Sequence, residues 1–313
     1  MTGKIVVCGA LGHIGSRLFR TLPDQYPDVE IVLLDNLSSQ RYSSLFNLPG
    51  NGRYRFFEKD VLADDLTPVF EGADVVVQLS AITNAAGSFE IREKVERENY
   101  LATERVAQAC LRTGSALINI SSTSVYGTQK EVVDEDCSEE DLQPQSPYAE
   151  TKLREEKLLA ELGRSDGLRF VTFRFGTIFG VSPGMRFHTA VNKFCWQAVT
   201  GQPITVWRTA LHQVRPYLDL EDAVSAIGFV MRSNLYDGKI YNVLTLNATV
   251  SEILDVIRAH VPDIAIEYVD TKIMNQLSYH VSNQRFRSRG FEFHGNLRRG
   301  IADTFSLLRG VHS

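Results

Sequence analysis

Tyr148 and Lys152 stand four residues apart in the run 148-YAETKLREEKLLAEL-162. On a helix, side chains four apart share a face, so this phenol and ammonium would stand side by side. A nearby cation favours the phenolate. A phenolate is the base needed to take the proton of a sugar or alcohol hydroxyl while hydride leaves its carbon. The Tyr-x-x-x-Lys spacing is common and equally describes two unrelated residues on a helix. It gains chemical meaning only from what lies upstream. There, 116-ALINISS-122, read as the fifth strand of the chain, runs into 121-SSTSVYG-127 and gathers Ser122, Thr123 and Ser124 at its carboxyl end. Such hydroxyls either hydrogen-bond a substrate oxygen or simply make a turn.

The elements that must position these groups begin at the N-terminus. Residues 4–8, KIVVC, form an apolar β-branched run expected to be a buried parallel strand. The turn 9-GALGHIG-15 follows and flows into the helical pattern 16-SRLFRTL-22. Gly9 would let the chain turn tightly, Gly12 would let backbone approach a pyrophosphate, and Gly15 would let helix pack on strand. The N–H groups at the start of that helix would face an anion. The spacing is G-x-x-G-x-x-G, and a plain glycine-rich turn would read the same. A second strand, 30-EIVLLD-35, ends in Asp35, 20 residues after Gly15, where a dinucleotide fold places its ribose-binding carboxylate. A carboxylate there accepts from both ribose hydroxyls and repels a 2′-phosphate, which favours NAD over NADP. The following Asn36, in place of an arginine, points the same way.

Residues 54–61 read as a third strand with Asp60 at its carboxyl end, placed to accept from an adenine amino group. A fourth strand, 74–80, leads into the small-residue loop 81-AITNAAGSFE-90. Helical spacing resumes over 91–113. Asn99, unfavourable in mid-helix, is either an exposed residue or a polar strut for the active-site loops. Pro147 favours a helix start at Tyr148, and 168–176 reads as a sixth strand. Residues 1–180 thus alternate strand and helix, as a doubly wound parallel sheet requires. After Gly180 the alternation breaks. Short strands over 203–207, 239–244 and 264–269, a run over 214–231 with an acidic helix start at Glu221–Asp222, and a helix over 249–261 suggest a smaller mixed α/β lobe for substrate. The tail carries Arg285, Arg287, Arg289, Arg298 and Arg299, expected to be a solvated surface before a diphosphate clamp.

Composition narrows the class. A chain of 313 residues suits one large domain or a domain with a lobe. A net charge of −5 gives no reason to expect nucleic acid or an anionic membrane as partner. The four cysteines, Cys8, Cys110, Cys137 and Cys195, show no C-x-x-C spacing, so neither a zinc site nor a disulfide framework is signalled. No metal is expected. A strand beginning by Lys4 leaves no room for a signal peptide, and no uncharged apolar run reaches membrane-spanning length. A soluble cytoplasmic protein is the expectation.

GALGHIG, the strand ending in Asp35, Asp60, SSTSVYG and YAETK occur in one order along the chain. Together they resemble the extended short-chain dehydrogenase/reductase family, in its nucleotide-sugar epimerase/dehydratase branch, over nearly the whole length. The resemblance implies a Rossmann-type NAD-binding domain over 1–180. Residues 181–313 would be mainly a nucleotide-sugar lobe, with some segments returning to the Rossmann sheet. It also implies a Ser-Tyr-Lys triad of Ser122, Tyr148 and Lys152, with Lys152 also holding the nicotinamide ribose. Cofactor contacts would come from Gly9, Gly12, His13, Ile14, Gly15, Asp35, Asn36, Asp60, Val61, Leu79, Ser80, Ala81 and Asn99. Substrate contacts would come from Thr83, Ser122, Thr123, Thr177, Arg186, Asn192 and Arg215, with Arg215 in VRPYLDLEDA gripping the diphosphate through its bidentate fork. A second diphosphate arginine is not evident; Arg285 is the remaining candidate.

Two departures shape the functional expectation. Relatives that remove water carry Asp-Glu directly after the catalytic hydroxyl, and decarboxylating relatives place Glu at the second position. Here Thr123 and Ser124 stand there. Thr177 stands where the family pattern has asparagine. The expectation is therefore an NAD-dependent nucleotide-sugar 4-epimerase working through a transient 4-keto sugar. The alternatives are a nucleotide-sugar dehydrogenase or ketoreductase and a non-catalytic NAD-binding protein. A homodimer paired through helices 91–113 and 148–162 is expected from relatives, although the apolar positions of those helices would serve equally as a sheet-facing stripe.

Overall fold

Lys4–Cys8 (β1) is buried at every residue after its first, as a β-branched strand with neighbours on both sides and helices on both faces must be. In the computed structural model, which describes residues 3–83, 87–127, 131–270 and 278–311, β1 turns through the glycine-rich segment into helix α1 (His13–Gln25). There follow β2 (Glu30–Asp35), β3 (Arg53–Glu58), the single-turn α2 (Thr67–Phe70), β4 (Ala73–Gln78), the long α3 (Arg92–Thr113) and β5 (Ala116–Ser122). A two-residue β6 (Val132–Val133), α4 (Pro147–Ser165), β7 (Phe170–Phe175) and β8 (Thr177–Phe179) come next. The remainder is α5 (Ala190–Val199), β9 (Ile204–Trp207), β10 (Val214–Asp219), α6 (Leu220–Ser233), β11 (Ile240–Val243), β12 (Leu246–Thr249), α7 (Val250–Arg258), β13 (Ile266–Val269), β14 (His280–Val281), α8 (Gln284–Arg287) and α9 (Leu297–Leu307).

Seven strands form one sheet in the order β11-β7-β5-β4-β1-β2-β3, and every pairing in it is parallel. Alternation along β1 feeds two cores. Ile5 and Val7 pack with α1 and α6 on one face, and Val6 and Cys8 pack toward α3 and α4 on the other. This is the doubly wound Rossmann-type α/β fold. The strand order reverses between β1 and β4, which opens the crevice where such sheets bind ligands.

The second half does not stay apart from the first. α6 packs on the same core as α1, and β11 pairs with β7 at the sheet edge. The lobe proper is built on the three-stranded sheet β12-β10-β8, the β13–β9 pair and helices α5, α7 and α9, around Phe179, Val191, Phe194, Ile253 and Ile301. Thr249 opens α7 with a capping box: its side chain accepts from the Glu252 N–H, and the Glu252 carboxylate accepts from the Thr249 N–H.

Several boundaries differ from expectation. The third strand stops at Glu58, short of Asp60. The Asp64 carboxylate accepts the Asp60 N–H, and the Asp60 carboxylate accepts the Leu62 N–H, so local side-chain bonds end the ladder there. The alternation of strand and helix is also thin on this side. Between β2 and β3 lies only the 3-10 turn Tyr42–Leu45, and between β3 and β4 only four helical residues. The loop expected over 81–90 is described except at 84–86, and that over 128–146 except at 128–130; those residues lie outside the described set. Among the described residues no helix is long and apolar enough to cross a membrane.

Candidate active site

The glycine-rich turn is made by close backbone approach. Gly9 has φ +70°, and a Cβ there would sit 2.7 Å from the Ser80 N. A Cβ on Gly15 would sit 2.4 Å from the Ala10 carbonyl oxygen. Gly12 caps α1 without a side chain, leaving the helix's first N–H groups toward the cleft. Asp35 braces this turn from the end of β2. One carboxylate oxygen accepts the Leu11 N–H at 3.0 Å and the other the Leu37 N–H at 3.0 Å. Across the cleft Gln78 clips the turn after β4, accepting from the Ser80 N–H and donating to the Ser80 carbonyl.

The lobe closes over the same turn. The Gly184 N–H donates to the Ser16 hydroxyl at 3.0 Å, and the His13 Nδ1 and Ser182 hydroxyl are 2.8 Å apart. Burial and the nearby Arg186 and Arg41 guanidiniums push His13 down to about 3, so its imidazole is neutral at physiological pH.

Tyr148 reaches the cleft because α4 starts where it does. The Ser146 hydroxyl accepts the Ala149 N–H, and Pro147 occupies the first helical position, one residue before the expected start. Lys152, one turn on, is buried, and its Nζ lies 5.9 Å from the centre of the Tyr148 ring. Ser122, at the end of β5, acts on the Tyr148 phenol in the direction that favours its ionised form. The Ser122 hydroxyl also accepts from the Ser124 N–H and hydroxyl. Desolvation raises the phenol above its ordinary value and outweighs the lowering by Lys152, Arg186 and Ser122. The neighbouring ammonium does favour ionisation, as expected, but burial outweighs it. Desolvation would lower Lys152, but the Glu155 carboxylate at 2.9 Å and the phenol bring it above the usual lysine value.

A cavity of about 610 Å³ joins these parts. It is lined by Gly9, Gly12, His13, Ile14 and Gly15; by Leu79, Ser80, Ala81 and Thr83; by Ser122, Thr123, Tyr148 and Lys152; and by Thr177, Arg186 and Arg215. Most of the residues expected from sequence therefore meet in one space. Thr123 spends its hydroxyl on the Phe175 carbonyl at 3.2 Å. Arg215 donates to the Gln213 side chain at 2.8 Å and to the Val214 carbonyl, with its guanidinium over the Tyr279 ring.

Other expected contacts are placed elsewhere. Asn99 is buried behind the wall, where its amide donates to the Ile82 carbonyl at 2.9 Å and accepts the Ile82 N–H at 2.8 Å. It is a strut for the 81–83 loop and not a lining residue. Asn192 is wholly buried, accepting from the Gly180 N–H and donating to the Arg186 carbonyl, so it holds the backbone of Arg186 and does not face the cavity. Asp35, Asn36, Asp60 and Val61 lie outside the lining. The Asn36 amide donates to the Asp60 carboxylate, tying the ends of β2 and β3, and Val61 is buried. Arg285 is held by Asp136 and Glu135, away from the cleft. Lining residues without a sequence signal are His188 and Lys193, the latter donating to the Thr205 hydroxyl at 3.0 Å, and Trp207. They sit on the irregular lobe, where no fixed spacing marks them. Among the described residues that line the cavity, none is Asp or Glu.

The model of the NAD dependent epimerase/dehydratase family matches residues 5–243. The chain belongs to that family. Its fold is the extended short-chain dehydrogenase/reductase fold, and NAD is its cofactor. The glycine cradle and the open α1 N-terminus fit that dinucleotide.

Among curated family relatives, it is 29% identical over 96% of its length to the trifunctional UDP-glucose 4,6-dehydratase/UDP-4-keto-6-deoxy-D-glucose 3,5-epimerase/UDP-4-keto-L-rhamnose-reductase RHM2 of Arabidopsis thaliana, covering 46% of that protein. The chain thus spans about half the length of the first curated relatives it matches. It is 31% identical to the uncharacterized UDP-glucose epimerase YtcB of Bacillus subtilis (strain 168), over 77% of this chain and 76% of that one. Among solved structures, MoeE5 in complex with UDP-glucuronic acid and NAD superposes with a TM-score of 0.85 at 27% identity, over 98% of this chain and 99% of that one.

Proposed function

We propose that the protein is a nucleotide-sugar 4-epimerase acting through a transient 4-keto sugar. The observation that carries this reading is the cavity itself. A hydroxyl, a phenol and an ammonium converge on it beside the dinucleotide turn, and among the described residues no carboxylate lines it. Removing water from a sugar needs an acid and a base besides the proton-transfer group at the oxidised carbon. The lining supplies proton transfer at one carbon and no such pair.

In this reading Tyr148 takes the proton of the sugar 4-hydroxyl, and Ser122 holds that oxygen through its hydroxyl. Lys152 stabilises the phenolate. Bound NAD supplies the hydride acceptor and donor. The keto sugar turns over in the cavity, Tyr148 returns the proton, and the opposite configuration results. Arg215 faces the diphosphate, and Thr83, Thr123, Thr177 and Arg186 surround the sugar. MoeE5, which binds UDP-glucuronic acid, and YtcB, described as a UDP-glucose epimerase, support a UDP-hexose or UDP-hexuronate as substrate. RHM2, whose name includes a UDP-glucose 4,6-dehydratase activity, is the specific observation on the other side; the absence of carboxylates among the described lining residues weighs against it. We further propose a cytoplasmic homodimer whose α3 and α4 pair with their mates. Light scattering that returns the monomer mass would overturn that assembly.

Purified protein is to be incubated with a panel of UDP- and dTDP-hexoses and hexuronates without added cofactor. The 4-epimer of one of them is the expected product. NADH accumulating without an epimer would make the protein a dehydrogenase, and a 4-keto-6-deoxy product would make it a dehydratase.

A further inference from the structure

Glu155 and Glu156 are adjacent, both buried, and held in opposite ways. Glu156 is saturated. Arg174 grips both its oxygens at 2.9 and 2.7 Å, and the Ser121 hydroxyl donates to one of them at 2.5 Å. That arrangement locks α4 to β5 and β7 and needs no other explanation. Glu155 is 0% exposed, yet only one of its oxygens is used: it accepts from the Lys152 Nζ at 2.9 Å and from the Thr103 hydroxyl of α3 at 2.8 Å. Among the described residues the other oxygen has no donor. A half-satisfied buried carboxylate costs stability, and a hydrocarbon side chain at this position would avoid that cost. Its position gives the reason. It lies within one helical turn of Lys152 and on the far side of it from the cavity, which Lys152 lines and Glu155 does not.

We propose that Glu155 is a positioning residue for the Ser122–Tyr148–Lys152 constellation, pinning the Lys152 ammonium and balancing its charge behind the phenol. The proposal rests on Tyr148 being the proton-transfer group. Lys152 shows one carboxylate bond, so its remaining N–H donors stay available to the cavity it lines. The groups that act on Glu155 are Lys152 and Glu156 on its own helix and the neutral Thr103 from α3, and Tyr148 feels both Lys152 and Glu155. With the pair intact, the phenol keeps its proton in the resting protein and Lys152 stays charged. Without the carboxylate, the ammonium acts on the phenol unopposed.

The test reads Tyr148 directly and needs no substrate. Phenolate absorbance is titrated in the NAD-free protein and in Glu155→Gln, each minus its own Tyr148→Phe partner, so that the difference isolates one tyrosine among the 11 of the chain. The expected result is that Tyr148 ionises at lower pH in Glu155→Gln. Glu155→Asp keeps the charge but withdraws it by one methylene, and is expected to give a smaller shift in the same direction; it decides the matter if the glutamine variant does not fold. A Tyr148 titration that is unmoved or moves upward overturns the proposal. A shift in titration together with an epimerase activity that survives Tyr148→Phe would sink the proposed function and leave the electrostatic coupling standing.

Discussion

The two walls of the cleft are made of different material. The dinucleotide wall is backbone: Gly9, Gly12 and Gly15 bring main chain against main chain, Asp35 is spent on two backbone N–H groups, and Gln78 clips a turn. The lobe wall is side chain: Arg186 and His188 reach in from the loop between β8 and α5, Lys193 from α5, and Trp207 and Arg215 from short strands. A backbone wall recognises one shape and tolerates no added atom. A side-chain wall can be re-cut for another ligand without touching the fold. Tyr148 and Lys152 stand where the walls meet, on a helix anchored to the sheet by the saturated Glu156–Arg174 pair.

The largest effect should come from the meeting point. Tyr148→Phe removes the proton-transfer oxygen and keeps the ring, so turnover of the substrate found in the panel should fall by about 10³-fold, within the usual range for a positioned acid/base group. NAD binding should persist, because the cradle is elsewhere. The pH dependence has a definite sign. Burial holds the phenol above its ordinary value, and the oxidation step needs the phenolate. The rate of that step should therefore climb as pH rises above neutrality. A rate that falls over that range would mean another group takes the proton.

The backbone wall is probed by Gly15→Ala. One methyl would sit 2.4 Å from a carbonyl oxygen with nowhere to retreat. Overpacking of this kind costs about 1–3 kcal/mol. Affinity for NAD should drop more than about tenfold, or about 1.4 kcal/mol, read by titration calorimetry and by loss of the NAD-dependent rise in melting temperature. Unchanged affinity would mean that the turn is an ordinary strand-to-helix connection and that the contrast between the walls is false.

This difference in material explains what the chain's order of residues disclosed. Backbone constraints leave strong marks: glycine at fixed intervals, a β-branched run before it and an acid where the next strand ends. The Rossmann half was therefore legible nearly to the residue for β1, β2 and β5. Where side chains compete for backbone bonds, legibility failed, as at Asp60 and Asp64, which stop β3 early. Burial is not readable from spacing either. Asn99 and Asn192 have the residue type of ligand contacts, but tertiary packing turns both onto backbone groups behind the wall. Lys193 and His188 carried no signal because the lobe has no repeating period to measure them against. Glu155 lay in plain view as one of four acids on a solvent-like helix, and only the fold shows it buried against Lys152.

The side-chain wall should answer in a graded way, and Arg215 gives the finest measure. Its guanidinium is held by Gln213 and Val214 and lies over Tyr279, with burial lowering it from the usual arginine value. A planar fork presented in this way can take two oxygens of a diphosphate at once. Hydrogen bonds to charged groups are worth about 1.5–3 kcal/mol, so Arg215→Ala should raise KM by about 10- to 100-fold with kcat little changed. That is the pattern of lost binding shared by ground state and transition state. Arg215→Lys keeps the charge but not the fork and should recover part of the loss. Both variants should bind NAD as the unaltered protein does. If kcat fell while KM held, Arg215 would be acting on the reacting sugar, and the division of labour between the walls would have to be redrawn through it.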